Sequence, residues 1–520
     1  MKRAFRNCST TLALISLLLV AGCRVGPKYT TPAALPAPPP DQYKETAAPV
    51  PEGGDSDWKP ANPSDAMLRG KWWTIYNDSQ LNDLEDKLNI NNQTIKQYFE
   101  NYMEARTLIA QARSQLYPTL GVAPSFQRSR TSANVSHNTG TSATSGTTTG
   151  TTTTSAGTQS TLWSLPLEAS WEPDLFGKIR NQIRSDQYAA QVSAADLENE
   201  RLSEQASLAT YLFEIRGQDA LIDVYRKTVD ADKKALELTQ SLYNTGIDDQ
   251  ASVVEAENTL QNAEASATNL GVLRAQYEHA IAVLIGTNPS TFSIPFKALD
   301  AAPPSVPTGM PSELLERRPD VAAAERQMAS ANALIGVAKA AYFPTLSLTA
   351  QGGTESSAIS QLFDWPSRFW SVGSSLSETV FDAGLRRATV DQYITTYNAD
   401  VASYRQTVLT AFQQVEDSIA SSRILSRQYQ QQQAAAASAQ KSVDLEMQRY
   451  QTGVDPYIDV VQTQLTLLTD QTALVTLRTE QMTASVQLIQ ALGGGWNVSD
   501  LPTPSQVSSP FTKGDRTIQK

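Results

Sequence analysis

Cysteine, histidine and methionine are scarce in this 520-residue chain, and each scarcity closes off a class of function. The two cysteines, Cys8 and Cys23, both sit at the extreme N-terminus. No disulfide can form in the rest of the chain, so its stability must come from packing. The two histidines, His137 and His279, stand far apart without cysteine partners. Neither a zinc site nor a Ser-His-Asp or Cys-His catalytic set can be built from them. His137 lies in a Ser/Thr-rich run and reads as solvated, His279 in a helical pattern as a surface or packing residue. Seven methionines without a cluster weigh against export of soft metals. Neither a phosphate loop nor a dinucleotide fingerprint occurs, so no nucleotide cofactor, no metal and no enzymatic activity are expected. Basic residues are outnumbered 42 to 53, a net charge of −11 that offers nucleic acid no footprint.

What is present begins with a processing signal. Lys2, Arg3 and Arg6 precede an apolar run from Thr11 to Ala21 that is too short to span a bilayer. It reads as a signal peptide over residues 1–22. Val20-Ala21-Gly22-Cys23 puts small residues directly before a cysteine, as lipoprotein processing requires, making Cys23 the acylated (palmitate-bearing) first residue. Position 24 is Arg, not the Asp that retains lipoproteins at the inner membrane, which favours the outer membrane. Losing three basic signal residues takes the mature chain to −14. Residues 23–65 are rich in Pro and Ala, with Pro36, Pro38, Pro39 and Pro40 close together, and favour an extended strap.

The remainder is duplicated. Tyr117-Pro118-Thr119-Leu120 returns as Phe343-Pro344-Thr345-Leu346, and Tyr243 to Asp248 returns as Tyr450 to Asp455. Gly286 likewise matches Gly493. The offset narrows between these landmarks, so the first copy carries an insertion. It is visible at residues 131–160, where 22 positions are Ser, Thr or Gly, a composition that cannot bury a core. Residues 66–295 and 296–497 therefore read as two repeats, each a helix, two strands, a long helix and a helix; 498–520 form a tail.

No proline interrupts the chain between Pro173 and Pro289 or between Pro366 and Pro456. The matching runs 178–244 and 386–452 each predict one helix of about 100 Å, far beyond the ordinary globular length. Shorter helices are expected over 79–116 and 249–285. Ala, Gln, Ser, Leu and Val dominate the long runs, without regular Leu and Ile at heptad positions. Small apolar stripes of this kind suit helices packed side by side in a wall.

In Trp163-Ser-Leu165-Pro-Leu167-Glu-Ala169-Ser-Trp171 the odd positions are apolar and the even ones polar or Pro. Tryptophan at both ends of an alternating strand is the pattern of a transmembrane barrel; a half-buried strand in a soluble sheet shares the alternation without needing the girdle. Residues 120–130, Leu346 to Ala350 and Trp370 to Leu376 supply three further strands. Four strands cannot close a barrel, and an open edge in lipid is costly, so the chain must oligomerise.

Glu316-Arg317-Arg318-Pro319-Asp320-Val321, running on through Ile335-Gly336-Val337-Ala338-Lys339 to Tyr342-Phe343-Pro344, resembles the signature segment of TolC-like outer-membrane factors. Cys23-Arg-Val25-Gly26-Pro27-Lys-Tyr29 and Trp72-Trp73-Thr-Ile-Tyr76-Asn-Asp78 are similar to the OprM/NodT-type efflux lipoproteins within that family, and the resemblance extends over nearly the whole mature chain. It implies a mainly α fold with a small transmembrane β part. Three chains would form an α-helical barrel continuous with a 12-stranded β-barrel, four strands from each. The implied function is the outer-membrane channel of a tripartite efflux system, a passive exit duct for drugs or other toxic small molecules. Its partners would be a periplasmic adaptor and an inner-membrane pump of RND type. Type I protein secretion through the same channel, and a non-channel coiled-coil surface lipoprotein, are the competing readings.

By the same resemblance, the hairpins at Gly246 and Gly453 are periplasmic tips, and Tyr450 and Ile458 match residues that hold the closed state. Asp455 before Pro456 reads as a helix N-cap with Pro at the first helical position, or as a channel-facing acid. Where the family often carries two acids one turn apart, this chain has Asp459 and Gln462 in the second hairpin and Ser252 and Glu255 in the first. The spacing puts each pair on one helical face. One acid per hairpin would still favour cations in a narrow trimeric pore; equally, Asp459 suits the first turn of a helix through the helix dipole.

Overall fold

The computed structural model describes residues 24–35, 42–47, 70–130, 132, 159–306 and 314–509. The signal peptide, Cys23, part of the Pro-rich strap, nearly all of the Ser/Thr/Gly insertion and the end of the tail lie outside the described residues.

In chain order the principal elements are α1 (Ser79–Asn91), α2 (Gln93–Ser114), β1 (Thr119–Val122), β2 (Ser125–Arg130), β3 (Gln159–Trp171), α3 (Lys178–Asn244) and α4 (Gln250–Leu284). The second half follows with α5 (Pro319–Ala340), β4 (Thr345–Ser356), β5 (Arg368–Ser377), α6 (Leu385–Gln451) and α7 (Tyr457–Ala491). The halves match in detail: α3 and α6 each have 67 residues, and α4 and α7 each have 35. The one helix expected over 79–116 is two. Asn92 stands between them in a non-helical conformation (φ −57°, ψ 128°) and closes both ends. Its N–H donates to Leu88 O, its Oδ1 accepts from Ile95 N, and its Nδ2 donates to Leu284 O. A short polar side chain that can bond nearby backbone competes with helix continuation, and here it wins.

The chain divides into two compact units. One unit (1–29, 108–186 and 331–396) holds the sheet. β1 and β2 form one pass, interrupted at Ala123-Pro124; both pair antiparallel with β3 in an unbroken register, from Thr119 opposite Ser170 to Arg130 opposite Gln159. β3 then pairs with β4, and β4 with β5, all antiparallel. Direct partners share a face of the sheet. Val122, Leu167, Gly352 and Trp370 form one row, and Leu120, Ala169, Ala350 and Val372 the next row on that face. Between them runs Gly121, Glu168, Gln351 and Ser371 on the opposite, polar face, where Gln351 Nε2 donates to Glu168 over 3.1 Å. Trp370 is 81% exposed and Val372 75%, with Leu120, Val122, Phe126, Leu167 and Leu376 also open. A contiguous apolar face of this extent marks a surface that meets lipid or another chain.

The other unit (30–107, 187–330 and 397–520) is helical. Its main core joins Trp72, Leu81 and Leu88 to Leu208, Leu212, Phe213 and Ile215 of α3, Ile281 of α4, and Met482, Val486 and Ile489 of α7. On α6 a buried stripe runs through Tyr404, Val408, Ala411, Val415 and Ile419 at three- and four-residue spacing, with Ala436, Ala439 and Tyr450 buried further along. Leu409, Ile424 and Leu445 of the same helix stay exposed. The signature Arg318 is a clamp: it grips Asp320 through two bonds (3.0 and 2.6 Å) and donates to Gln414 of α6 and to the Ala491 carbonyl ending α7. Where it is described, the strap forms no regular element apart from one helical turn at Lys44–Ala47. Glu416 accepts from the backbone N–H groups of Lys44 and Glu45, and Arg423 pairs with the Glu45 carboxylate.

Candidate functional site

The paired hairpin turns bring together most of the residues that the sequence singles out. Two residues beyond the ends of α3 and α6 stand Gly246 (φ +74°) and Gly453 (φ +72°), in a left-handed conformation that costs glycine little. In both turns the backbone closes the helix in the same way. Gly246 N donates to Tyr243 O and Ile247 N to Leu242 O; Gly453 N donates to Tyr450 O and Val454 N to Arg449 O.

The two hairpins diverge at the next position. Asp249 caps α4, accepting from Ser252 N at 3.0 Å. Its counterpart is Pro456, which is itself the N-cap of α7 and has no side-chain acceptor. Asp455 therefore does not cap the helix, contrary to the sequence expectation, because α7 begins at Tyr457, one residue later than Pro at the first helical position would give. Its carboxylate instead pairs with Arg449, Nη2 donating over 2.9 Å.

Tyr450 links the hairpins. Its hydroxyl donates to Asp248 Oδ2 at 2.7 Å and lies 3.1 Å from the Thr239 hydroxyl. The ring packs against Tyr457, centroids 5.3 Å apart, in a small core with Ala235, Ala256, Val460 and Val461. Burial works against charge on Asp248, but hydrogen bonds from Tyr450, Asp249 N and Ser252 Oγ outweigh it and hold the carboxyl below its usual range. Burial in the same core, aided by the nearby Asp248 charge, pushes the Tyr450 phenol up to about 12. At neutral pH this is a charge-assisted bond between a neutral phenol and an ionised acid.

A second cluster lies beside it. Carboxylate oxygens of Glu446, Asp455 and Asp459 fall within 4.8 Å of one another. The hydrogen bond between Glu446 and Asp455 raises the first carboxyl and lowers the second, which the Arg449 charge also favours. Asp459 stands in the first turn of α7. Glu255 is elsewhere, on α4, in a groove with Gln250, Val254 and Asn258. Ile458 is exposed, as are Ile247 and Val454, and takes no part in the Tyr450 core. Sequence reasoning missed Asp248, Thr239, Arg449 and Glu446. Two signals were available: Asp248 is the repeat counterpart of Asp455, and Glu446 precedes Arg449 at i, i+3.

Comparison with known proteins places this geometry. A family model described as outer membrane efflux protein matches residues 84–287 and 310–494. The solvent efflux pump outer membrane protein SrpC of Pseudomonas putida is 30% identical over 497 residues, covering 94% of this chain and 99% of the relative. The solved outer-membrane channel OprN superposes with a TM-score of 0.79 at 26% identity, over 91% of this chain and all of that one. The Campylobacter jejuni CmeC outer membrane channel, at 21% identity, shares the fold with a TM-score of 0.80 over 95% of this chain and 100% of its own. A mainly helical chain with a small, lipid-suited sheet, matched in sequence and fold along nearly its whole length, belongs to the outer membrane efflux protein family.

Proposed function

We propose that three copies of this chain form a passive exit duct across the outer membrane for small toxic molecules. A periplasmic adaptor and an inner-membrane pump of RND type would drive it. The carrying observation is the four-pass sheet with an apolar exposed face and two open edges, β1/β2 and β5. No described helix is long and apolar enough to cross a membrane, and unpaired strand edges cannot face hydrocarbon. Three sheets joined edge to edge give a closed barrel of twelve strands, and the exposed apolar residues of α6 would be covered by neighbouring copies.

Small molecules are favoured over secreted proteins by the names of relatives such as SrpC, a solvent efflux component. Energy would come from the pump, since the sequence carries no phosphate loop or dinucleotide fingerprint; Cys23 would carry lipid. In the closed state Tyr450 and Asp248 tie one hairpin to the other, and adaptor contact shifts this two-state element to open. Asp459, Asp455 and Glu255 supply negative charge near the tip and would favour cationic cargo.

Electron-microscope imaging of the purified, acylated protein tests the reading. Three-fold particles with a central lumen are expected; compact particles or thin rods without a lumen would leave a coiled-coil lipoprotein instead.

A further inference from the structure

The core behind the Tyr450 latch contains two polar atoms that the channel reading does not use. Asp232 of α3 is 2% exposed, and its Oδ2 has no hydrogen-bond partner. Tyr457 of α7 is 1% exposed, and its hydroxyl has none either. The two are close enough that charge on Asp232, with Tyr450 and Glu255, adds to the burial that raises the Tyr457 phenol. The titratable groups around this core are Tyr450 from α6, Tyr457 from α7, Glu255 from α4 and Asp248 from the first turn. None of these is a cation. Lys233, next to Asp232, is exposed and reaches Glu264 instead, at 3.5 Å. An ionised carboxylate here meets no counter-charge among these groups and no donor at Oδ2, whereas the neutral acid is an ordinary core group.

We propose that Asp232 is a proton-controlled latch of the hairpin tip, holding α3, α6 and α7 packed when protonated and loosening them when ionised. The inference rests on the tip reading above. Burial raises the Asp232 carboxyl from 3.8 to about 6. The sign follows from that direction. A folded-state pKa above the unfolded one means that tight packing is favoured at low pH and is lost as pH rises through about 6. A displacement of this size weights the packed state by up to about a hundredfold per protomer between the two limits. The tip would thus be tightest in a mildly acidic periplasm and easier to open near neutrality. The Tyr450–Asp248 bond does not oppose this, since Asp248 stays ionised well below that window.

The test uses the full acylated protein in planar lipid bilayers, titrated from pH 5 to 7.5, beside Asp232→Asn, which mimics the neutral acid. Wild type is expected to show a conductance rise centred near pH 6, and Asp232→Asn a low, flat profile. A step that persists in Asp232→Asn with the same midpoint overturns the proposal and assigns the step to other carboxylates. Amide hydrogen exchange over 235–245 and 446–461, corrected for intrinsic pH dependence, gives an independent reading. Protection should fall above pH 6 in wild type and hold in Asp232→Asn; equal loss in both refutes the latch. Absence of any conductance in wild type would count against the channel reading, while the exchange measurement would still decide the latch.

Discussion

Replacing Tyr450 with Phe removes one oxygen and leaves the ring in place, which isolates the bond between the two hairpins. That oxygen donates to the Asp248 carboxylate at 2.7 Å. Hydrogen bonds to charged groups contribute about 1.5–3 kcal/mol. Asp248 is half-exposed and keeps its bonds from Asp249 N and Ser252 Oγ, so the lower end applies, about 1.5 kcal/mol per protomer. That is roughly a tenfold shift toward the loosened tip if one protomer acts alone. If three must release together, the terms sum to about 4–5 kcal/mol, or roughly a thousandfold. The Tyr450–Tyr457 ring contact survives, so thermal stability should change little. Single-channel conductance in planar bilayers measures the effect directly, with susceptibility of complemented cells to a large, normally excluded antibiotic as a second readout. Conductance and susceptibility both identical to wild type would refute the latch role of this bond.

Two further perturbations separate lipid-facing from structural roles. Val372→Arg places a charge on the apolar face of the sheet and should cost about 2–4 kcal/mol near the membrane midplane, abolishing heat-resistant outer-membrane assembly on gels. Ser371→Arg, on the opposite face, should assemble normally. Arg216→Met strips Asp78 of its 2.6 Å partner and should cost about 3 kcal/mol, read as a lowered thermal midpoint. Asp78 also bears on acid stability. Burial opposes its charge, but hydrogen bonds from Arg216 and Leu81 N and the Arg216 charge prevail and lower its carboxyl, so the stabilisation is present above 3.8 and lost as pH falls through the folded value. Arg216→Met should therefore begin to unfold at a higher pH than wild type when circular dichroism follows an acid titration.

The sequence by itself determined the local and repeating features of this protein. Proline-free runs with small apolar stripes dictate helices, and the 67-residue lengths of α3 and α6 are legible to within one residue, because backbone hydrogen bonding in a helix is satisfied within the segment. Period-two alternation around Trp163 to Trp171 likewise locates β3, and glycine locates both turns, since few other residues tolerate positive φ. The tertiary structure alone decided how those pieces meet. Asn92 breaks a run that looks helical because its side chain finds Leu284 O, 192 residues away. Asp455 turns from an expected cap to an Arg449 partner because α7 starts one residue later. The latch pairs Tyr450 with Asp248, 202 residues apart, and Asp232 becomes a buried acid with an unpartnered Oδ2 only in the folded chain, near Tyr457 of α7. Such contacts depend on which distant side chains arrive in the same place. Local periodicity carries no record of that, whereas the energy of a buried or paired carboxylate depends on little else.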